Sequence, residues 1–549
     1  MPATHDLPFA SRRSPVYGLG GMVATSQPLA VAAGLKILSQ GGNAADSAVA
    51  TAAALNVTEP TSTGLGGDCF SLYYEAASGQ VSALNGSGRA PAALSLDRLH
   101  KEGFKAELPP YHPYMITVPG ACAGWCDLVE RHGRLSMDRV LAPAVQLAEQ
   151  GFPVAPITAY HWKNAAKRLV TVPGGIEMTI DGRAPQAGEI FHNHGLARTL
   201  RTIAEGGKRA FYQGEIAEAI TRVIQQAGGC LSLEDLSAHT STWEQPISST
   251  YRGFRVWECP PNGQGLGALL ALNLLEGYDL AAMPPLSAQR LHLMIEAMRL
   301  AFADTRWYVA DPAFNPAPLD WLLSKDYAEA RRKLIHPDHA TLDQQRGTPT
   351  SSSDTVYLTT VDSDGNACSF INSNYYGFGT GIVPSGWGFT LQNRGYGFSL
   401  DPSHPNALAP GKRPYHTIIP SMITRDADQN SKVPNLLYAS LGVMGGFMQP
   451  QGHLQVVSAL VDDQIDPQAA LDRPRFCIDD GSAGGQVALE EGMPATVQAE
   501  LEKLGHPVYP VSGFARSTFG RGQIILHDEK TGVLVGGSDP RADGCAMSI

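Results

Sequence analysis

Thr355 opens the alternating stretch TVYLTTVDSDGNACSFINS, directly after the small polar run Ser351-Ser352-Ser353-Asp354. If the Asp354–Thr355 bond were cut, one residue would carry both a hydroxyl and a free α-amine. An α-amine titrates near ~7.7–8, so it can take a proton from its own hydroxyl close to neutral pH. Nucleophile and base would then sit on a single residue, with no histidine required. Attack on an amide also needs donors for the developing oxyanion. The stretch SLGVMGGFMQPQGH places Gly445-Gly446 at a strand-to-helix turn, where exposed backbone N–H groups are common. Residue types alone leave a structural reading open, since threonine favours strands and a Gly-Gly before a helix is a common turn device.

The elements that must position these residues fall in two blocks. GMVATSQ reads as a short strand, PLAVAAGLKILSQGG as a helix opening on Pro28, and NAADSAVATAAALNVTEP as an alanine-rich helix suited to tight backbone packing. GLGGDCFSLYYEAASGQVSALNGSGRAP reads as a glycine turn and a hairpin. From about Val118 to Ile335 the apolar spacing is mainly helical, interrupted by a strand and turn in YRGFRVWECPPNGQG. The segment from His336 to Asp354 is polar and aperiodic, which predicts an exposed linker. Beyond Thr355 come a hairpin turning at Ser363-Asp364-Gly365-Asn366, strands in HTIIPSMIT and NLLYASLG, and a helix in GHLQVVSALVDD. Strands and packed helices mixed in both blocks indicate a layered α+β fold.

Bulk properties narrow the function. With 549 residues, 43% of them hydrophobic and a formal charge of −11, the chain has ample core and no basic face for nucleic acid. The N-terminal stretch has no apolar signal-like run and no segment is apolar enough to span a bilayer, so the expectation is a cytoplasmic protein without nucleic-acid or membrane partners. Eight scattered cysteines form no CxxC pair and no disulfide framework. The sequence contains no G-x-S-x-G elbow, P-loop, H-E-x-x-H or G-x-G-x-x-G, and its sixteen histidines show no clear metal-ligand spacing. No cofactor or metal is expected.

The chain resembles the γ-glutamyltransferase family of N-terminal-nucleophile hydrolases over nearly its whole length. The resemblance rests on GGNAADSAVATAAALNVTEPTSTGLGGDCF, FYQGEIAEAI, GCLSLEDL, DTVYLTTVDSDGNACS, FGTGIV, NALAPGKRP, MGGFMQPQGH, DRPRF and GSDPRADG, in that order. It implies a four-layer αββα sandwich and a precursor that cleaves itself between Asp354 and Thr355. The products would be a large fragment 1–354 and a small fragment 355–549, joined as a heterodimer that could pair again as a dimer of heterodimers. By motif, Thr355 is the nucleophile, its new amine the base, Gly445 and Gly446 the oxyanion donors, and Ser373 the hydroxyl that supports the nucleophile.

The sequence departs from that family where γ-glutamyl substrates are clamped. Ser87 stands at the carboxylate-binding arginine position of NGSGRAP, with Arg89 two residues on as a replacement. In LQNRGYGFS the amine-binding glutamine and aspartate positions hold Arg394 and Gly397, and in KRPYHTIIP the paired serines become His416 and Thr417. Tyr375 completes the expected substrate-binding set. The short segment between GFSLDP and NALAP implies that no lid covers the site. Losing an aspartate and gaining an arginine removes an ammonium site and adds an anion site. The resemblance therefore implies a small amide bearing a carboxylate, either a γ-glutamyl compound such as glutathione or oxamate. A glutaryl-type acylase and an unprocessed scaffold homologue are the alternatives. Arg413 reads as a structural anchor, while Asp68, at a position usually glycine, has no assigned role.

Overall fold

Along the strand Asp354–Asp362, alternate residues enter different cores. Val356 and Leu358 join Ala48, Ala52 and Leu55 under a helical layer, whereas Tyr357 and Val361 join Phe70, Met422 and Ile525 between two sheets. A strand apolar on both faces belongs at the centre of a layered structure. The computed structural model describes residues 13–105, 107–343, 354–427 and 433–549.

Two seven-stranded sheets lie at the centre. The first runs in the order Cys545–Ser548, Gly21–Thr25, Asp354–Asp362, Ala367–Tyr375, Asp68–Glu75, Gln80–Gly86, Thr242–Glu244. The second runs Val16–Gly18, Leu534–Ser538, Arg521–His527, Asn435–Met444, Ser421–Asp426, Phe254–Glu258, Ile247–Tyr251. Helices including Ala44–Thr58 and Ala121–His132 cover the first sheet, and helices including Gly265–Leu275, Ala288–Tyr308 and Met448–Val461 cover the second. This is the αββα sandwich expected.

The helix Ala44–Thr58 shows why the alanines are there. Every residue of it is buried, and Asn43 and Asp46 close a capping box at its start. Small side chains let it lie close to the helix Pro28–Ser39, where a Cβ on Gly34 would come within 2.3 Å of Thr51 Oγ1.

Some elements differ from the sequence expectation. YRGFRVW is the second half of a hairpin, Ile247–Tyr251 with Phe254–Glu258, turning at Arg252-Gly253, where both φ angles are positive. HTIIPSMIT forms a strand only over Ser421–Asp426, after Pro420, which has no N–H for a ladder. The expected exposed linker is partly tied down: Ala340 N–H donates to Leu504 O at 2.6 Å and Thr341 N–H to Glu296 Oε2 at 3.1 Å. The remainder, 344–353, lies outside the described residues. All eight cysteines are free, five of them buried. Among the described residues, no helix is long and apolar enough to cross a membrane.

Candidate active site

The pleat that buries Tyr357 between the sheets also decides where Thr355 points. Thr359 Oγ1 donates to Ser440 Oγ at 2.6 Å, and the Tyr357 ring fills the space where a Cβ on Gly442 would lie. The same two-residue stride along both strands carries Thr355 toward Met444, immediately before Gly445-Gly446. Thr355 is fully buried, at a bulge where Asp354 pairs with Tyr375 and Val356 with Asn372.

Its hydroxyl donates to Ser373 Oγ at 3.1 Å. Ser373 Oγ also accepts from Tyr375 N–H at 2.9 Å and from Arg394 Nη2 at 3.0 Å. Arg394 Nη1 donates to Thr417 Oγ1 at 2.8 Å, and the guanidinium lies 4.2 Å over the Tyr375 ring. Among the described residues, Arg394 Nε has no acceptor although it is buried. Burial pushes the Arg394 pKa down to about 10, while Tyr375 and Asp68 oppose the shift. It stays cationic at neutral pH. Tyr375 holds a positive φ of 81°, which turns the chain out of the strand and brings its ring under Arg394.

The glycine turn is oriented from two sides. Gly445 O accepts from Met448 N–H at 3.0 Å, so the Gly446 N–H, antiparallel to that carbonyl across a trans peptide, points away from the helix. Gln264 Nε2 donates to Gly446 O at 2.8 Å and to Thr417 O at 2.7 Å. Among the described residues, neither the Gly445 nor the Gly446 N–H has an acceptor. Positive φ angles of 134° and 60° explain why both positions are glycine.

Asp68 acquires a role. It stands opposite Ser373 across the strand pair, and its Oδ1 accepts from Gly88 N–H, Gly120 N–H and Gln392 Nε2 at 2.9–3.0 Å. Its Oδ2 takes His416 Nε2 at 3.1 Å. One carboxylate thus gathers four segments around the site. Burial raises the Asp68 pKa to about 6 against the pull of Arg394 and Gln392. Burial, then Arg394 and Arg413, hold His416 well below its usual pKa, so it is neutral. Its Nδ1 accepts from Ile418 N–H at 3.4 Å, leaving Nε2 to donate to Asp68.

The other expected site residues are placed less centrally. Ser87 is buried, and its Oγ accepts from Asn262 Nδ2 at 3.0 Å. Arg89 is half-buried, with its charge felt at Arg413 and His239, and among the described residues its guanidinium makes no hydrogen bond. Arg413 anchors structure, donating to Ser87 O and Thr242 Oγ1 at 3.1 Å and ion-pairing with Glu244. Gln264 and Gln392 escaped the sequence reading. Their signal was a polar residue inside a glycine-rich turn, which many solvent-facing turns share.

Two cavities adjoin this group. One of about 480 Å³ is lined by Gly445, Phe447, Met448, Tyr111, Tyr160 and Tyr376. The other, about 380 Å³, is lined by Gly395–Asp401, Tyr415, Met115 and Arg306. The short segment beyond it turns back within ten residues, Ser399 bridging Ala407.

The gamma-glutamyltranspeptidase family profile matches residues 30–549. The chain is 37% identical over 539 residues to the glutathione hydrolase-like YwrD proenzyme of Bacillus subtilis (strain 168), covering 97% of this chain and 99% of that protein. It is 32% identical over 539 residues to the oxamate amidohydrolase proenzyme of Klebsiella pneumoniae, covering 96% and 98%. The crystal structure of cephalosporin acylase from Bacillus halodurans matches with a TM-score of 0.92 at 46% identity, over 100% of this chain and 99% of that one. A profile match over nearly every residue, joined to a shared fold, shows that this chain belongs to the gamma-glutamyltranspeptidase family of N-terminal-nucleophile amidohydrolases.

Proposed function

We propose that the chain cuts itself between Asp354 and Thr355 and then hydrolyses the amide of a small substrate whose acyl part carries a carboxylate. In maturation the Thr355 hydroxyl oxygen attacks the Asp354 carbonyl carbon, and the peptide C–N bond breaks as the ester forms. Water hydrolyses that ester, leaving the Asp354 carboxylate and a free Thr355 α-amine. In turnover the amine takes the hydroxyl proton, the oxygen attacks the substrate amide, and the proton passes to the departing amine. The Gly445 and Gly446 N–H groups stabilise the oxyanion of each tetrahedral intermediate. Water then releases the acid, or a second amine takes the acyl group.

The observation that carries this reading is the buried Thr355–Ser373–Arg394 chain of hydrogen bonds, which joins the nucleophile to a cation with an unused donor. Arg394 supplies the carboxylate site, assisted by Thr417 and the Tyr375 ring, and Arg89 is a second cation on the Ser87 side. An α-ammonium clamp has less support, because both Asp68 oxygens are engaged by protein donors. This favours a dicarboxylic monoamide over a γ-glutamyl compound. A second reading, an acylase releasing a bulky amine, is supported by the aromatic-lined cavity that begins at Gly445.

Both proposed fragments contribute strands to both sheets, which supports a lasting heterodimer after the cut. Its further pairing is read by light scattering. Eight free cysteines support a cytoplasmic location. The deciding experiment is a denaturing gel with N-terminal sequencing of the smaller band, followed by oxamate, glutaryl amides and a γ-glutamyl anilide assayed on the same sample. Two bands, the smaller starting at Thr355, with turnover of an amide in that panel, are expected. A single intact chain would support the scaffold alternative.

A further inference from the structure

Away from Thr355, the helix Ala288–Tyr308 carries His292 and Glu296 four residues apart, and therefore on one face. His506, in the turn after the helix Ala495–Lys503, meets them there. All three are buried, and one ligand-capable atom from each lies within 4.8 Å of the others. Sequence spacing could not reveal the group, because more than two hundred residues separate His506 from the helical pair.

Hydrogen bonds orient the donor atoms of the group. His292 Nε2 donates to His336 O at 2.6 Å, so its lone pair is on Nδ1 and faces inward. That lone pair meets His506 Nε2 at 2.8 Å. Glu296 Oε2 is held by Thr341 N–H at 3.1 Å, while its buried Oε1 has no hydrogen-bond partner among the described residues. His506 Nδ1 is also buried without one. Arg299 lies 3.5 Å from Glu296 Oε1 and is itself faced by Asp480, while His339 and Asp338 act on His292 with opposite signs.

We propose that His292, Glu296 and His506 bind one divalent transition-metal ion of the zinc type. Two imidazole nitrogens and one carboxylate oxygen form a donor set that suits zinc, with water in the fourth position. The ion displaces the proton between His292 Nδ1 and His506 Nε2, and His506 carries its proton on Nδ1 instead. Glu296 is the buried carboxylate that offsets the ion's charge, with Arg299 beside it. The site joins the helix before the proposed cut to a turn after it, and holds the segment 336–341 through the His336 carbonyl and Thr341 N–H. It thereby clasps the two fragments, a consequence that rests on the proposed cleavage, whereas metal binding itself does not.

The test is cobalt titration of the complete, metal-stripped protein, followed by visible absorption, with zinc as competitor. One equivalent of Co²⁺ per chain with a tetrahedral spectrum, displaced by Zn²⁺, is expected. His506→Ala and Glu296→Gln should each weaken binding by more than the roughly 10–100-fold that loss of an outer-shell partner costs. His194→Ala, in the separate His192–His194 ring pair, should leave it unchanged. If His506→Ala does not fold, the near-isosteric Glu296→Gln decides alone. No stoichiometric uptake, or uptake unchanged in Glu296→Gln, overturns the site.

Discussion

Arg394 Nη2 and Ser373 Oγ are bonded at 3.0 Å, so the cation proposed to bind substrate touches the hydroxyl that holds the proposed nucleophile. Three donors, from Arg394, Tyr375 and Thr355, converge on an oxygen with two lone pairs. Under the proposed mechanism the Thr355 proton, which shares that oxygen with two other donors, would pass to the amine that cleavage frees. In that mechanism substrate recognition and proton transfer would meet at one atom, Ser373 Oγ.

Thr355→Ala should leave the chain uncut and lower turnover by at least about 10⁴-fold, as loss of a covalent nucleophile does. A gel and a single-turnover assay on the same preparation check both. A processed, active alanine variant would contradict the assignment.

Ser373→Ala leaves three buried donors without their common acceptor. Leaving a buried donor unpaired costs about 1–3 kcal/mol, so thermal unfolding should move to lower temperature. Processing should slow as well. Ser373→Thr, which restores the oxygen, should recover processing; failure to do so would point to packing.

Arg394→Ala should cost carboxylate-bearing amides about 10–100-fold in kcat/KM, the range of a hydrogen bond to a charged group. Neutral amides should lose far less. A substrate pair differing only in that carboxylate reads the ratio, and equal losses would remove Arg394 from recognition. Arg394→Lys should recover only part of the preference, since an ammonium cannot reproduce the planar fork.

Asp68 gives a pH prediction whose sign follows from its raised pKa. A carboxyl that holds its proton more tightly folded than unfolded favours the folded state below the unfolded value of 3.8, and that contribution is lost as pH rises through about 6. The shift corresponds to something on the order of 3 kcal/mol. Between those values Asp68→Asn should therefore gain thermal stability relative to the parent as pH rises. Parallel Tm–pH curves for the two proteins would refute it.

Much of this was legible in the residues. Asn43 and Pro28 mark helix starts by local hydrogen bonding and fixed φ, and the 363–366 turn follows from its own residue types. Alternation marked the run that opens on Thr355 as a strand. Such features depend on interactions a few residues long, so sequence by itself determined them, together with the family likeness.

Only the tertiary structure decided what faces what. Asp68 meets His416, Gly120 and Gln392 across three loops, and Arg394 finds Ser373 and Thr417, because two sheets stack and bring distant turns to one edge. His506 reaches His292 by the same packing of remote helices. The energy of these contacts lies in burial and in pairing groups cut off from water, neither of which exists until the layers close.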